Sequence, residues 1–91
     1  MHSYKETVVI VNKLGLHARP ASRFAQLASG FEAEIFLVKN GEEVNGKSIL
    51  EILTLASPAG TELSIRAEGP DAEQAVAKLK ELIDNRFGEP E

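Results

Sequence analysis

The sequence predicts an α+β fold, an open-faced β-sandwich in which three helices cover one face of a four-stranded, mostly antiparallel sheet. Segments typical of strands and helices follow one another in the order βαββαβα. The last strand segment, Glu62–Ala67, alternates apolar and polar residues, as expected of a sheet with one face in solvent. The length of 91 residues, with 43% apolar and 26% charged residues, fits one compact domain over residues 1–91.

The first third of the chain predicts a strand, a loop and a helix. Tyr4–Val11 is rich in β-branched residues and predicts the strand, and Asn12–Leu16 predicts the loop. Ala18–Ser29 predicts the helix, because apolar residues recur at helical spacing. Pro20 is acceptable in a helix only within the first turn, so the helix must begin near residue 18.

The middle of the chain predicts a hairpin and a short helix. Asn40-Gly41 is a strong signal for a two-residue turn, which would join strands at Glu34–Lys39 and Glu42–Val44. Ser48–Leu55 predicts a short helix that ends before Pro58.

A third helix is predicted after the last strand. Asp71 is the expected N-cap, with Gln74 in the capping-box position. The apolar stripe of this helix consists of Ala75, Val76, Leu79, Leu82 and Ile83. The segment Gly88-Glu-Pro-Glu is expected to be loose.

Composition argues against several classes of function. A formal charge of −4 disfavours nucleic-acid binding, and the chain has no cysteine for a disulfide or a thiolate. His17 is the one well-placed imidazole, so we expect neither a metal site nor a cofactor. The longest apolar run, Val8–Val11, is too short to cross a membrane, and the first residues do not resemble a signal peptide. We therefore expect a cytoplasmic protein without membrane insertion.

The segment Gly15-Leu16-His17-Ala18-Arg19-Pro20 places a histidine at a helix N-terminus. A neutral imidazole is a nucleophile near pH 7, and the first helical amides, beginning at Ala18, favour an anion beside it. Arg19 lies close enough to contact phosphate oxygens, Pro20 stiffens the turn, and Gly15 lets the chain bend. The pattern favours a phosphoryl site, although a surface or N-cap histidine without chemistry is the ordinary alternative.

The same segment, extended to Ala21, resembles the active-site signature of HPr, the histidine-containing phosphocarrier family of the bacterial phosphoenolpyruvate-dependent phosphotransferase system. The resemblance runs from about Lys5 to Phe87 and includes Asn45-Gly46-Lys47-Ser48-Ile49-Leu50. It implies an HPr-like fold and a carrier rather than an enzyme. It also implies that His17 takes phosphate on Nδ1 from enzyme I and passes it to enzyme IIA domains, while Arg19 steadies the phosphoryl group.

The resemblance does not distinguish the two branches of the family. Lys13-Leu14-Gly15 and Asp84-Asn85-Arg86-Phe87 resemble the nitrogen-branch paralogue, whereas Gly46-Lys47-Ser48-Ile49 resembles the sugar-pathway form.

Ser48 has two interpretations. Together with Glu51 it fits a capping box, which is sufficient to explain its presence. The resemblance implies regulatory phosphorylation by HPr kinase/phosphorylase and, in some lineages of the family, binding to a transcriptional regulator. A phosphate at a helix N-terminus would meet a favourable dipole.

The short helix carries more apolar residues than one buried stripe can hold. Leu50 and Leu53 are expected to be exposed and, with Ile49, to form a docking surface for enzyme I and IIA domains; the alternative is that all of them belong to the core. We expect a monomer, because a shuttle must present one face freely. Two other classes stay open: a purely regulatory binding module, and a generic α+β domain for a small ligand or RNA.

Overall fold

The computed structural model describes residues 2–90 of the protein. Its elements, in chain order, are strand β1 (Ser3–Val9), helix α1 (Ala18–Ser29), strand β2 (Glu34–Lys39), strand β3 (Glu42–Asn45), helix α2 (Ile49–Leu53), strand β4 (Glu62–Glu68) and helix α3 (Ala72–Asp84), followed by a 3₁₀ turn at Arg86–Gly88.

The four strands form one sheet in the order β1-β4-β2-β3, and each neighbouring pair is antiparallel. In β4, Leu63 lies opposite Val8 of β1 and Ile65 lies opposite Leu37 of β2. Leu37 in turn lies opposite Val44 of β3. These residues therefore form a continuous apolar row across the sheet.

One face of the sheet is buried under the helices. Leu63, Ile65 and Ala67 of β4 are buried, whereas the intervening Ser64 and Arg66 are only half-buried. The inner face joins the buried side chains of all three helices in one core, to which α1, α2 and α3 contribute Phe24, Ile52 and Leu79, among others. The open-faced α+β architecture and the element order βαββαβα are confirmed.

The turn between β2 and β3 has the predicted chemistry. Asn40 and Gly41 both have positive φ angles, 51° and 84°, as a type I′ turn requires. Lys39 and Glu42 pair directly across the turn, and β3 extends one residue further than predicted, to Asn45.

Strand β1 and helix α2 each end two residues earlier than the sequence predicts. β1 ends at Val9, not Val11, because the two hydrogen bonds of Ile10 go to different residues: its carbonyl accepts from the Gly60 amide at 2.7 Å and its amide donates to the Thr61 carbonyl at 2.9 Å. Helix α2 ends at Leu53, not Leu55, because the amides of the next two residues donate to carbonyls three positions back, as in a tightened final turn.

The predicted capping box of Asp71 and Gln74 is wrong. The Asp71 side chain does not cap α3; its carboxylate accepts hydrogen bonds from the amides of Glu32 at 3.0 Å and Ala33 at 2.8 Å. The hydrogen bond from the Glu32 amide, followed by that from Ala33, holds the pKa of Asp71 below its usual value. Asp71 therefore ties the start of α3 to the connection between α1 and β2.

The prediction of a loose segment after residue 87 is also wrong for the residues that the structure describes. The amides of Gly88 and Glu89 donate to the carbonyls of Asn85 and Arg86 at 3.0 and 2.9 Å. Phe87 before them is buried, which fixes the segment to the core. Glu91 lies outside the described residues.

Candidate functional site

His17 is the N-cap residue of α1, as predicted. Its backbone is extended, with φ −84° and ψ −170°, and its carbonyl accepts the first helical hydrogen bond from the Ala21 amide at 2.9 Å. The side chain does not cap the helix and is 36% exposed. The imidazole is therefore available to chemistry.

The start of α1 offers free hydrogen-bond donors next to His17. The amides of Ala18 and Arg19 occupy the first turn, where a helix provides no carbonyl partner for them. Pro20, which is buried, has no N–H group to leave unpaired. These donors and the positive end of the helix dipole favour an anion beside the imidazole.

Gly15 shapes the bend that leads into the site. Its φ of +74° is in the left-handed region, and a Cβ atom there would lie 2.6 Å from the Ser57 carbonyl oxygen. The same carbonyl accepts a hydrogen bond from the Leu16 amide at 2.8 Å. The loop before α1 is therefore packed directly against the loop that contains Ser57.

Arg19 is exposed on the first turn and has no hydrogen bond to His17 in the described part of the chain. It lines an open groove of about 390 Å³ at the start of α1. The other residues that line the groove are Lys13, Leu14, Arg23, Gly88, Glu89 and Pro90. Three cationic side chains thus surround the groove.

Two polar residues of the site were missed in the sequence. Glu89 contacts His17, with 3.2 Å between Oε2 and Nε2 of the ring. Asn12 is completely buried; its Nδ2 donates to the other Glu89 oxygen at 2.9 Å and to the Gly15 carbonyl at 2.7 Å. Glu89 lies 72 residues from His17 along the chain, so no local pattern indicates the contact.

Ser48 is the N-cap of α2, as predicted, but the capping box is only half formed. Its Oγ accepts from the Glu51 amide at 3.3 Å. The Glu51 carboxylate accepts from the Asn45 amide at 3.1 Å, and so does not return the bond to Ser48.

The outer surface of α2 is apolar. Leu50 is 79% exposed, and Ile49 and Leu53 are also exposed, whereas Ile52 is buried in the core. The predicted exposure of Leu50 and Leu53 is therefore confirmed. Leu14, which precedes the Gly15 bend, is also largely exposed and was not predicted as part of an apolar surface.

Residues 2–90 contain neither a helix that could cross a membrane nor a cluster of side chains that could hold a metal ion. No helix in this range combines the length and apolarity that a membrane crossing requires. No group of three or more histidine or acidic side chains in the same range is arranged to hold a metal ion.

Comparison with known proteins agrees with the fold. The family model described as the PTS HPr component phosphorylation site matches residues 4–85. The phosphocarrier protein HPr of Neisseria meningitidis serogroup A is 44% identical over 87 residues, which cover 96% of this chain and 98% of that protein.

Solved structures show the same similarity. A crystal structure of HPr from Thermoanaerobacter tengcongensis matches with a TM-score of 0.92 and 43% identity, covering 97% of this chain and 99% of the other. A crystal structure of an HPr dimer from the same organism matches with a TM-score of 0.76 and 45% identity, covering 90% and 94% of the two chains. The chain therefore belongs to the HPr family, the phosphocarrier proteins of the phosphotransferase system.

Proposed function

We propose that the protein accepts a phosphoryl group on His17 Nδ1 from phosphorylated enzyme I and transfers it to enzyme IIA domains. The observation that supports this most directly is the exposed imidazole at the N-terminus of α1. A phosphoryl group on this ring would lie beside the amides of Ala18 and Arg19, which have no carbonyl partner within the helix.

Arg19 would stabilise the phosphoryl group by its positive charge and would not position the His17 ring. Its exposed guanidinium is on the first turn of α1, and no hydrogen bond in the described chain holds it elsewhere. It is therefore available to bind phosphoryl oxygens when they arrive. Pro20 and Gly15 would act indirectly, by fixing the helix start and the bend that present the imidazole.

The exposed apolar residues of α2, Ile49, Leu50 and Leu53, would form the docking surface for enzyme I and IIA domains. One surface used in turn suits a shuttle, because each partner must leave before the next can bind. The same requirement favours a monomer as the working form. Light scattering at working concentration tests this, and a stable dimer would contradict it.

Phosphorylation of Ser48 would provide regulation. Its hydroxyl caps α2 immediately before Ile49, so added negative charge would change the docking surface without unfolding the helix. Incubation with HPr kinase/phosphorylase and ATP should yield phosphoserine that is absent from Ser48→Ala. Recovery of unmodified Ser48 would remove this part of the proposal, including binding to a transcriptional regulator in that state.

A labelling experiment tests the carrier function. The protein is incubated with enzyme I and labelled phosphoenolpyruvate, and then with an enzyme IIA protein. We expect an acid-labile, alkali-stable label that disappears in His17→Ala and remains in His2→Ala, the matched control at the other, exposed histidine. No label on the wild-type protein would refute the proposal.

Onward transfer distinguishes the carrier from a purely regulatory module. Label that reaches His17 but passes to no IIA protein would favour a module whose phosphorylation state controls partner proteins. In the carrier, Arg19→Ala should slow transfer by about tenfold, as expected when one charge-assisted hydrogen bond is lost. An unchanged rate would refute the role given to Arg19.

A further inference from the structure

Glu89 places a nearly buried carboxylate against the ring of His17. Its side chain is 11% exposed, and each of its oxygens has a partner: Oε1 accepts from Asn12 Nδ2 at 2.9 Å, and Oε2 lies 3.2 Å from His17 Nε2. A carboxylate removed from water in this way requires such partners. The two contacts fix its position relative to the imidazole.

The segment that carries Glu89 is anchored independently of these contacts. Phe87 is buried in the core, and Arg23 of α1 donates a hydrogen bond to its carbonyl. The Glu89 amide also donates to the Arg86 carbonyl at 2.9 Å. A hydrogen-bonded turn therefore places the Glu89 carboxylate at the site.

This contact determines which ring nitrogen is free. An ionised carboxylate only accepts hydrogen bonds, so the nitrogen that faces it, Nε2, must carry the proton. In the neutral ring the lone pair then belongs to Nδ1. From this geometry we infer that Glu89 is a positioning residue, which holds the His17 ring with Nε2 protonated and Nδ1 free to attack the phosphoryl group.

The inference rests on the proposed function, and it adds a group, the Glu89 carboxylate, that balances the charge which the His17 ring gains during transfer. During transfer, the bond between phosphorus and its leaving atom on the donor breaks, and the leaving atom keeps the electron pair. The lone pair of Nδ1 forms the new bond to phosphorus, while the proton stays on Nε2. The ring thereby gains a positive charge, which the Glu89 carboxylate pairs, as an aspartate pairs the imidazolium of a catalytic triad.

A carboxylate beside a reacting histidine can also hinder phosphorylation by charge repulsion. Here it contacts Nε2, whereas transfer takes place at Nδ1. Three cationic side chains, Lys13, Arg19 and Arg23, line the groove that Glu89 enters. Both observations indicate that the Glu89 carboxylate assists phosphorylation of His17 and does not repel the phosphoryl group.

Two variants of Glu89 and one control test the inference. Glu89→Ala removes the carboxylate, and Glu89→Gln removes the charge and leaves a single acceptor oxygen for the two donors, His17 Nε2 and Asn12 Nδ2. Glu73→Gln is the control, because Glu73 is exposed beside Ser3 and Pro70, at the end of β1 remote from the site. Thermal unfolding of each variant establishes that it is folded.

Nuclear magnetic resonance reads the ring directly, without phosphorylation. In the wild-type protein we expect a slowly exchanging proton on His17 Nε2, in Glu89→Gln a faster exchange of this proton, and in Glu89→Ala its loss. Absence of this proton from the wild-type protein would overturn the inference whether or not His17 becomes labelled.

The rate of labelling by enzyme I and phosphoenolpyruvate supplies the second measurement. We expect about a tenfold slower rate for Glu89→Ala, corresponding to one lost hydrogen bond to a charged group, with Glu89→Gln intermediate and the control unchanged. Equal or faster labelling of Glu89→Ala would overturn the inference while leaving the proposed function intact. An unlabelled wild-type protein would overturn the function itself, and the inference with it.

Discussion

Gly15 is subject to two separate constraints. Its φ of +74° disfavours any residue with a Cβ atom, and a Cβ atom would also lie 2.6 Å from the Ser57 carbonyl oxygen and 2.8 Å from Pro58 Cα. Both contacts are with backbone, which cannot move aside as a flexible side chain can. The position is therefore restricted in shape as well as in conformation.

Gly15→Ala should lower the free energy of unfolding by on the order of 3 kcal/mol, since left-handed strain and steric overlap add. Gly41→Ala is the matched control, because its φ is +84° but its Cβ would meet nothing within 4 Å. The control should lose only about 1 kcal/mol. Urea unfolding measures both variants, and equal losses would show that contact with residues 57 and 58 is not the cause.

Residues of the site differ in how well the sequence reveals them. His17, Arg19 and Gly15 lie within five positions, where the signals of a bend and a helix start can be recognised together. The contacts of Glu89 with Asn12 and His17 give no such signal, because these hydrogen bonds exist only when the chain after α3 reaches the start of α1. A tertiary contact between single polar residues has no periodicity from which to predict it.

Helix α2 depends on its cap more than the longer helices do. It has five residues, so few hydrogen bonds within the helix compensate for an unpaired amide at its start. The Ser48 hydroxyl accepts from the Glu51 amide and thereby satisfies one of these donors.

Ser48→Ala should lower the free energy of unfolding by about 1 kcal/mol through loss of the cap. Ser48→Asn, which can still accept from the same amide, should recover most of this loss. Chemical denaturation of the three proteins measures the effect. Equal destabilisation by alanine and asparagine would indicate that the hydroxyl stabilises the protein in some other way.

At the level of elements, the periodicity of apolar residues predicts which helices and strands exist better than it predicts the residues at which they begin and end. Helix α1 was predicted with its observed bounds, because Pro20 and the loop at Gly15 restrict where it can begin. The end of α2 differs from the prediction, because its final turn tightens into hydrogen bonds between residues three positions apart. The same residues could also continue an α-helix, so the sequence does not indicate this change. The capping box predicted at Asp71 does not form, because the amides of residues 32 and 33 bind its carboxylate instead. These amides are distant in sequence, so the local pattern does not reveal them.

Across the whole molecule, Asp71 extends the connection between β2 and β4 beyond Glu34 and Glu68, the last pair of their ladder. Its carboxylate binds the amides of Glu32 and Ala33 and so fixes the entry to β2 against the beginning of α3. Because these bonds are made by the ionised form, they lower the pKa of Asp71 in the folded protein.

Asp71 should therefore contribute to the pH dependence of stability. Its contribution is complete above the unfolded-state pKa, near 3.8, the ordinary value of an aspartate, and is lost as the pH falls through the lower folded-state pKa. Asp71→Asn should be less stable than the wild-type protein at pH 7, with a smaller difference at pH 3. Urea unfolding at both pH values measures this, and a difference independent of pH would contradict it.

The pairing of β1 with β4 has a consequence for the kinetics of folding. Ser3 lies opposite Glu68 and Val9 lies opposite Glu62, so more than half of the polypeptide must loop back before the first strand gains its neighbour. Closing so long a loop is entropically unfavourable, and no favourable contacts compensate for this cost until the β1–β4 ladder starts to form. Refolding should consequently be slower than for a helical bundle of equal size, with the β2–β3 hairpin assembling before β1 docks.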